Sequence, residues 1–224
     1  MRSTSKRIRQ CHISANTTGD HVFNSNIEQL IQSIKITVES EILMSLLSYA
    51  KLLHEIIDCD NRFSKEYFLQ IEQSISNTQS NQLINELIKL VHSYFDKYLS
   101  ASVILRCYIQ LHIPTTESGN NQGVSIQFQI LKEIQEMETI IETNENLFLD
   151  YYKKHYEILK YLNKYPSIED YHLYLLEYEK KIFDDLRSIV LELRTIFLKT
   201  YDIIIKNLPK IQVPRNPPMT SMIN

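Results

Sequence analysis

The sequence predicts an all-α protein, an up-down-up-down bundle of four long helices. Three observations lead there. Only three glycines and six prolines punctuate 224 residues, whereas strands and tight turns need such breakers often. Apolar residues recur at helical spacing over long stretches. Every proline stands at the end of such a stretch or beyond the last one, where its missing amide proton costs least.

The first helix is expected to start at Ser25-Asn26-Ile27-Glu28, which reads as a capping box. Ile27, Leu30, Ile34, Val38, Ile42, Leu46, Tyr49, Leu53 and Ile56 form its stripe. Residues 58–81 read as an inter-helix linker, in which Phe63, Tyr67, Phe68 and Ile71 either extend that helix or make a short separate one. A second helix runs from about Gln82 to Ile113 and stops at Pro114. The third spans about Ser125 to Lys164, acidic in its first half and basic at its end, as the helix dipole favours. Tyr165-Pro166 breaks the pattern and Ser167-Ile168-Glu169-Asp170 restarts it with a serine cap. The fourth helix reaches Leu208, and Pro209, Pro214, Pro217 and Pro218 end it.

Residues 25–215 thus read as one domain. Residues 1–24 read as a solvated, disordered arm made basic by Arg2, Lys6, Arg7 and Arg9. The net charge of −3 argues against a dedicated nucleic-acid binder. Cys11, Cys59 and Cys107 are odd in number and unpaired in spacing, which fits reduced thiols in the cytoplasm or nucleus. The most apolar stretch, Ala101 to Ile113, contains Arg106 and is too short to span a membrane.

Connectivity alone has a consequence for function. In this topology the segment 114–124, between the second and third helices, shares one end of the bundle with the C-terminal tail 216–224. The fourth helix also carries apolar residues on several sides, as in Ile189-Val190-Leu191 and Ile196-Phe197-Leu198. Either the bundle encloses it or a second copy covers it, and self-association is the expectation.

No phosphate-cradling GxxxxGK[ST] or GxGxxG motif occurs, and HExxH is absent. Glu169-x-x-His172 is the one match to a di-iron motif that needs two. His54, His92, His112 and His155 stand apart, and Cys107 lacks an assignable base. No catalytic, cofactor-binding or metal-ligating residue is expected, so the chain reads as non-catalytic.

Gly119-Asn120-Asn121-Gln122-Gly123 is the densest cluster of turn residues, and it holds two of the three glycines. On spacing alone it reads as an ordinary connector. Ile113-Pro114 followed by Gly119 to Gln127, however, resembles the activation loop of the 11S proteasome activators, the REG or proteasome activator 28 family. Lys164-Tyr165-Pro166-Ser167-Ile168-Glu169-Asp170-Tyr171 is similar to that family's turn between its last two helices. Leu191-Glu192-Leu193-Arg194 and Ile205-Lys206-Asn207-Leu208-Pro209-Lys210-Ile211 match its last helix.

The resemblance implies a heptameric ring that activates the 20S proteasome without ATP. Gly119, Asn120, Asn121, Gln122 and Gly123 would open the gate formed by its α-subunits. Ser221, Met222, Ile223 and the carboxylate of Asn224 would be the docking tail. The chain departs from the family pattern at Thr115-Thr116-Glu117-Ser118, at Gln122 and at its Ile223-Asn224 end. The rival reading is a helical scaffold or adaptor unrelated to the proteasome.

Overall fold

The computed structural model describes residues 17–59, 61–74, 81–115 and 121–215, and among these all regular structure is helical. The elements are α1 (Thr17–Thr37), a π turn (Val38–Ile42), α2 (Leu43–Asp58), a 3-10 turn (Asn61–Phe63), α3 (Lys65–Ser74), α4 (Gln82–Leu111), α5 (Gln122–Lys164) and α6 (Glu169–Gln212). With α1, the π turn and α2 forming one uninterrupted rod, the architecture is the expected four-helix bundle with α3 added.

The π turn has a cause in the spacing of the core residues. Ile34, Val38, Ile42 and Leu46 follow one another every four positions. In a helix of 3.6 residues per turn, each such step drifts about 40° around the axis. A turn closed by i→i+5 bonds absorbs that drift and keeps Val38, Leu43 and Leu46 buried on one side.

The helix begins at Thr17, inside the stretch that composition assigned to an arm, and Ser25 lies within α1 instead of capping it. Between Asp20 and Ser25 nothing breaks a helix, so the local capping signal does not start one. Residues 1–16 lie outside the described part. Within the stretch read as a linker, α3 is a separate helix. Its Ile71 is fully buried, and Phe63 and Phe68 approach Phe183 of α6 at 5.8 and 5.5 Å between ring centroids.

Asn81 starts α4: its Oδ1 accepts from the amides of Leu83 at 3.1 Å and Ile84 at 3.4 Å. Its Nδ2 donates to the Ile71 carbonyl at 3.2 Å, fastening α3 to α4. In α5, Gly123, Gln127, Ile130, Ile134, Met137, Ile141, Phe148, Tyr151, His155, Ile158 and Leu162 are buried. Their spacings of three, four and seven are those of a left-handed bundle seam.

Two expectations for α6 fail. Ser167 does not cap it; the cap position is Ile168, which makes no side-chain bond. Pro209 does not end it, and the helix continues to Gln212 with the amide of Val213 bonding to the Pro209 carbonyl at 2.9 Å. Proline forfeits its own amide bond and its ring crowds the carbonyl of Ile205 one turn back, and the turn survives because Ile204 and Ile211 on either side are fully buried.

The breadth of apolar surface on α6 is largely explained within the chain. It packs against α2, α3, α4 and α5, burying Phe183, Val190, Leu193, Phe197 and Ile204, while Leu198 and Ile205 stay over 40% exposed. Inside, Tyr98 Oη lies 2.8 Å from Thr200 Oγ1. Between α4 and α5, Glu138 accepts from Ser102 Oγ and from Arg106 Nη1, each at 2.7 Å.

At the end remote from the α4–α5 connection, α5 and α6 run on together. There Ile158, Leu162 and Leu175 form a small second core, separate from the main one. Beside it, Glu179 is fully buried and accepts from Tyr151 Oη at 3.0 Å, with His155 Nε2 at 3.1 Å.

Candidate docking face

The ends of α4 and α6 meet the start of α5, and one side chain joins all three. Gln127 is fully buried on the first turns of α5. Its single amide nitrogen donates both hydrogens, to the His112 carbonyl at 3.0 Å and to the Ile211 carbonyl at 2.8 Å. These are carbonyls of two helix C-termini, which lack partners of their own within the helix.

A second junction ties in the π turn. Glu39 Oε1 accepts from Gln212 Nε2 at 2.7 Å and from Tyr108 Oη at 3.1 Å. Burial raises the Tyr108 phenol above its ordinary range, and the nearby Glu39 carboxylate adds to the rise. The phenol therefore stays protonated and donates. His112 Nδ1 bonds the Tyr108 carbonyl at 2.8 Å, closing the end of α4.

Gly123 is buried where the chain leaves α6. A Cβ at this position would stand 2.1 Å from the Pro214 carbonyl oxygen, so only glycine lets the two backbones approach. Next along the chain, Arg215 Nη1 donates to the Thr115 carbonyl at 2.9 Å and Nη2 to Asn121 Oδ1 at 3.0 Å. The two shoulders of the α4–α5 connection and the root of the C-terminal segment are thereby adjacent.

Of the residues singled out from the sequence, Asn121 immediately precedes α5 and bonds Arg215, Gln122 opens α5 and is exposed, and Gly123 is buried. Gly119, Asn120, Ser221, Met222, Ile223 and Asn224 lie outside the described residues. Sequence reading missed Gln127, Arg215, Glu39, Tyr108 and Gln212. Gln127 had a signal: it occupies the stripe position between Gly123 and Ile130, where a polar residue has to be satisfied internally. Arg215 had none, because its partners are a backbone carbonyl and an asparagine far away in sequence.

Among the described residues no group of three or more His, Cys, Asp or Glu could hold a metal, and no helix is long and apolar enough to cross a membrane. The face offers backbone edges and exposed polar groups, the equipment of a contact surface.

The fold and this face define a helical bundle in which Thr115 and Asn121, at the two ends of the α4–α5 connection, meet Arg215 beyond the end of α6. The chain belongs to the PA28 family: the family model for "Proteasome activator PA28, C-terminal" matches residues 77–221. It is 32% identical over 138 residues to human proteasome activator complex subunit 3, covering 62% of this chain and 54% of that protein. It is 24% identical over 210 residues to proteasome activator 28 of Dictyostelium discoideum, covering 94% and 81%. The chain thus spans a little over half the length of the human relative it matches.

Among solved structures, the 11S subunit of the Plasmodium falciparum proteasome, PA28, superposes with a TM-score of 0.74 at 17% identity, over 94% of this chain and all of that one. The Trypanosoma brucei activator PA26, solved in complex with the yeast 20S proteasome, gives 0.62 at 16% identity over 89% of this chain. At such identity these likenesses establish the fold.

Proposed function

We propose that this chain is a non-catalytic, ATP-independent activator of the 20S proteasome, assembled as a ring of identical subunits, most simply seven. It docks on the proteasome α-ring through residues 221–224. The segment Gly119–Gly123, with Asn120 at its centre, presses the gate open so that peptides enter. Such a protein works wherever the 20S particle does, in cytoplasm or nucleus.

The observation that carries this reading is the junction at Arg215 and Gly123, which sets the loop's shoulders against the root of the tail. A protein that must dock and open a gate at one surface needs both elements on one face. Family membership and the relatives' names supply the partner. One binding tail per subunit suits a ring, because once one is seated its neighbours bind at high effective concentration.

The test is peptide hydrolysis by purified 20S proteasome with and without the chain, alongside its mass by light scattering. Stimulation by a particle of roughly 190 kDa, seven copies of a 26.5 kDa chain, is expected. No stimulation together with a monomeric mass would sink the reading. Asn120→Tyr should abolish stimulation while leaving binding intact; loss of both would make the loop a structural element only.

A further inference from the structure

We infer that Arg215 is a positioning residue that holds Thr115 and Asn121, at the two ends of the α4–α5 connection, in fixed register. The inference rests on the activator reading and adds to it what sets the flanks of the gate-facing segment.

A guanidinium is a rigid planar fork, and its donors cannot move independently. Here one arm holds the Thr115 carbonyl, near the start of the α4–α5 connection, and the other holds Asn121 Oδ1, immediately before α5. The two bonds bridge 100 and 94 residues of sequence, so one side chain ties the two ends of the connection to each other.

Arg215 is itself held from behind. Pro214 precedes it, with φ fixed by its ring, and Pro214 lies directly on Gly123. One residue further back, the amide of Val213 is bonded into the last turn of α6. The arginine therefore projects from a braced backbone. Thr115 and Asn121 are both exposed, so the bonds are open to competition from water and salt. Such a clamp is adjustable where the buried Gln127 junction beneath it is not.

The experiment uses the full chain with Arg215→Ala, Arg215→Lys and Asn121→Ala. Two quantities are read: affinity for the 20S proteasome, and peptidase stimulation at saturating activator. For Arg215→Ala we expect affinity within about threefold of the parent and saturating stimulation reduced roughly tenfold or more. Asn121→Ala should move the same quantity in the same direction. Adding it to Arg215→Ala should cause little further loss, because the two act as a unit. Arg215→Lys, which cannot bond both acceptors in one plane, should fall between.

Unchanged stimulation at saturation would overturn the inference. So would a loss that merely follows lost affinity, which marks Arg215 as a docking contact. If the parent chain fails to stimulate at all, the activator reading fails separately. The clamp is then read by amide hydrogen exchange at Ser125, whose amide donates to the Asn121 carbonyl at 2.9 Å; that exchange should quicken about tenfold in Arg215→Ala. Unchanged exchange there would overturn it too.

Discussion

Gln127 shows how much a single polar side chain can organise. Its two donated bonds satisfy carbonyls at the C-termini of α4 and α6 in a fully buried setting. Gln127→Glu replaces the donors with a carboxylate facing two carbonyl oxygens. It should cost about 3 kcal/mol or more, seen as a lower urea midpoint; an unchanged midpoint would mean water substitutes freely. Glu179, at the opposite end, sits against two phenols. Burial first and the Glu179 charge second push Tyr178 up to about 12 and Tyr151 well above its ordinary 10. Raised folded values mean the unfolded chain ionises first above pH 10, so stability is present below pH 10 and drains away as pH rises towards 12 and beyond. In Glu179→Gln, phenolate absorbance should appear at lower pH and stability should fall less across that window. A titration identical to the parent's would show that the phenols do not feel the carboxylate.

The long helices were legible because period and punctuation agree. α4 lies where Pro114 and the 3-4 spacing put it, α5 starts at Gln122 instead of near Ser125, and α3 was half-visible in its aromatic cluster. Local motifs misled where tertiary packing outweighed them. Ser25 and Ser167 resemble caps, yet neither serves as one, since a cap contributes only about 1 kcal/mol. Tyr152, four residues after Phe148, has the spacing of a core residue but is 43% exposed, and Tyr151 is buried instead because the seam steps three from Phe148. At the docking face the glycine and asparagine were visible in sequence, whereas the residues that hold them were not. Contacts such as Arg215 with Thr115 leave no periodic trace. Pro209 carries the prediction for this scale. Pro209→Ala restores an amide bond in the last turns of α6 and should raise stability by about 1 kcal/mol or more. Destabilisation in urea would mean the ring's packing outweighs the missing bond.

For the molecule as a whole, α6 is the central strut, touching α2, α3, α4 and α5. That enclosure accounts for most of the breadth of α6 within one chain. Apolar surface remains outside on α6 itself, at Leu198 and Ile205, and more of it on its neighbours: Val103 on α4 is 62% exposed, Phe128 on α5 56%, and Leu149 and Tyr156 on α5 67% each. In the proposed ring the tail serves docking alone. Deleting residues 221–224 should therefore leave the oligomer's mass unchanged by light scattering while cosedimentation with the 20S proteasome is lost. A ring that dissociates would give the tail a part in assembly.

The small core of Ile158, Leu162 and Leu175 has a consequence of its own. Half-buried Tyr178 packs against both it and the main core, and its three buried members all belong to α5 and α6. Cooperative units of a protein open at free energies set by their own packing. The tip of the α5–α6 hairpin is therefore a separate breathing unit, able to fray and re-form while the rest of the bundle stays closed. That tip lies at the end of the bundle remote from Gln127, whose bonds tie together α4, α5 and α6.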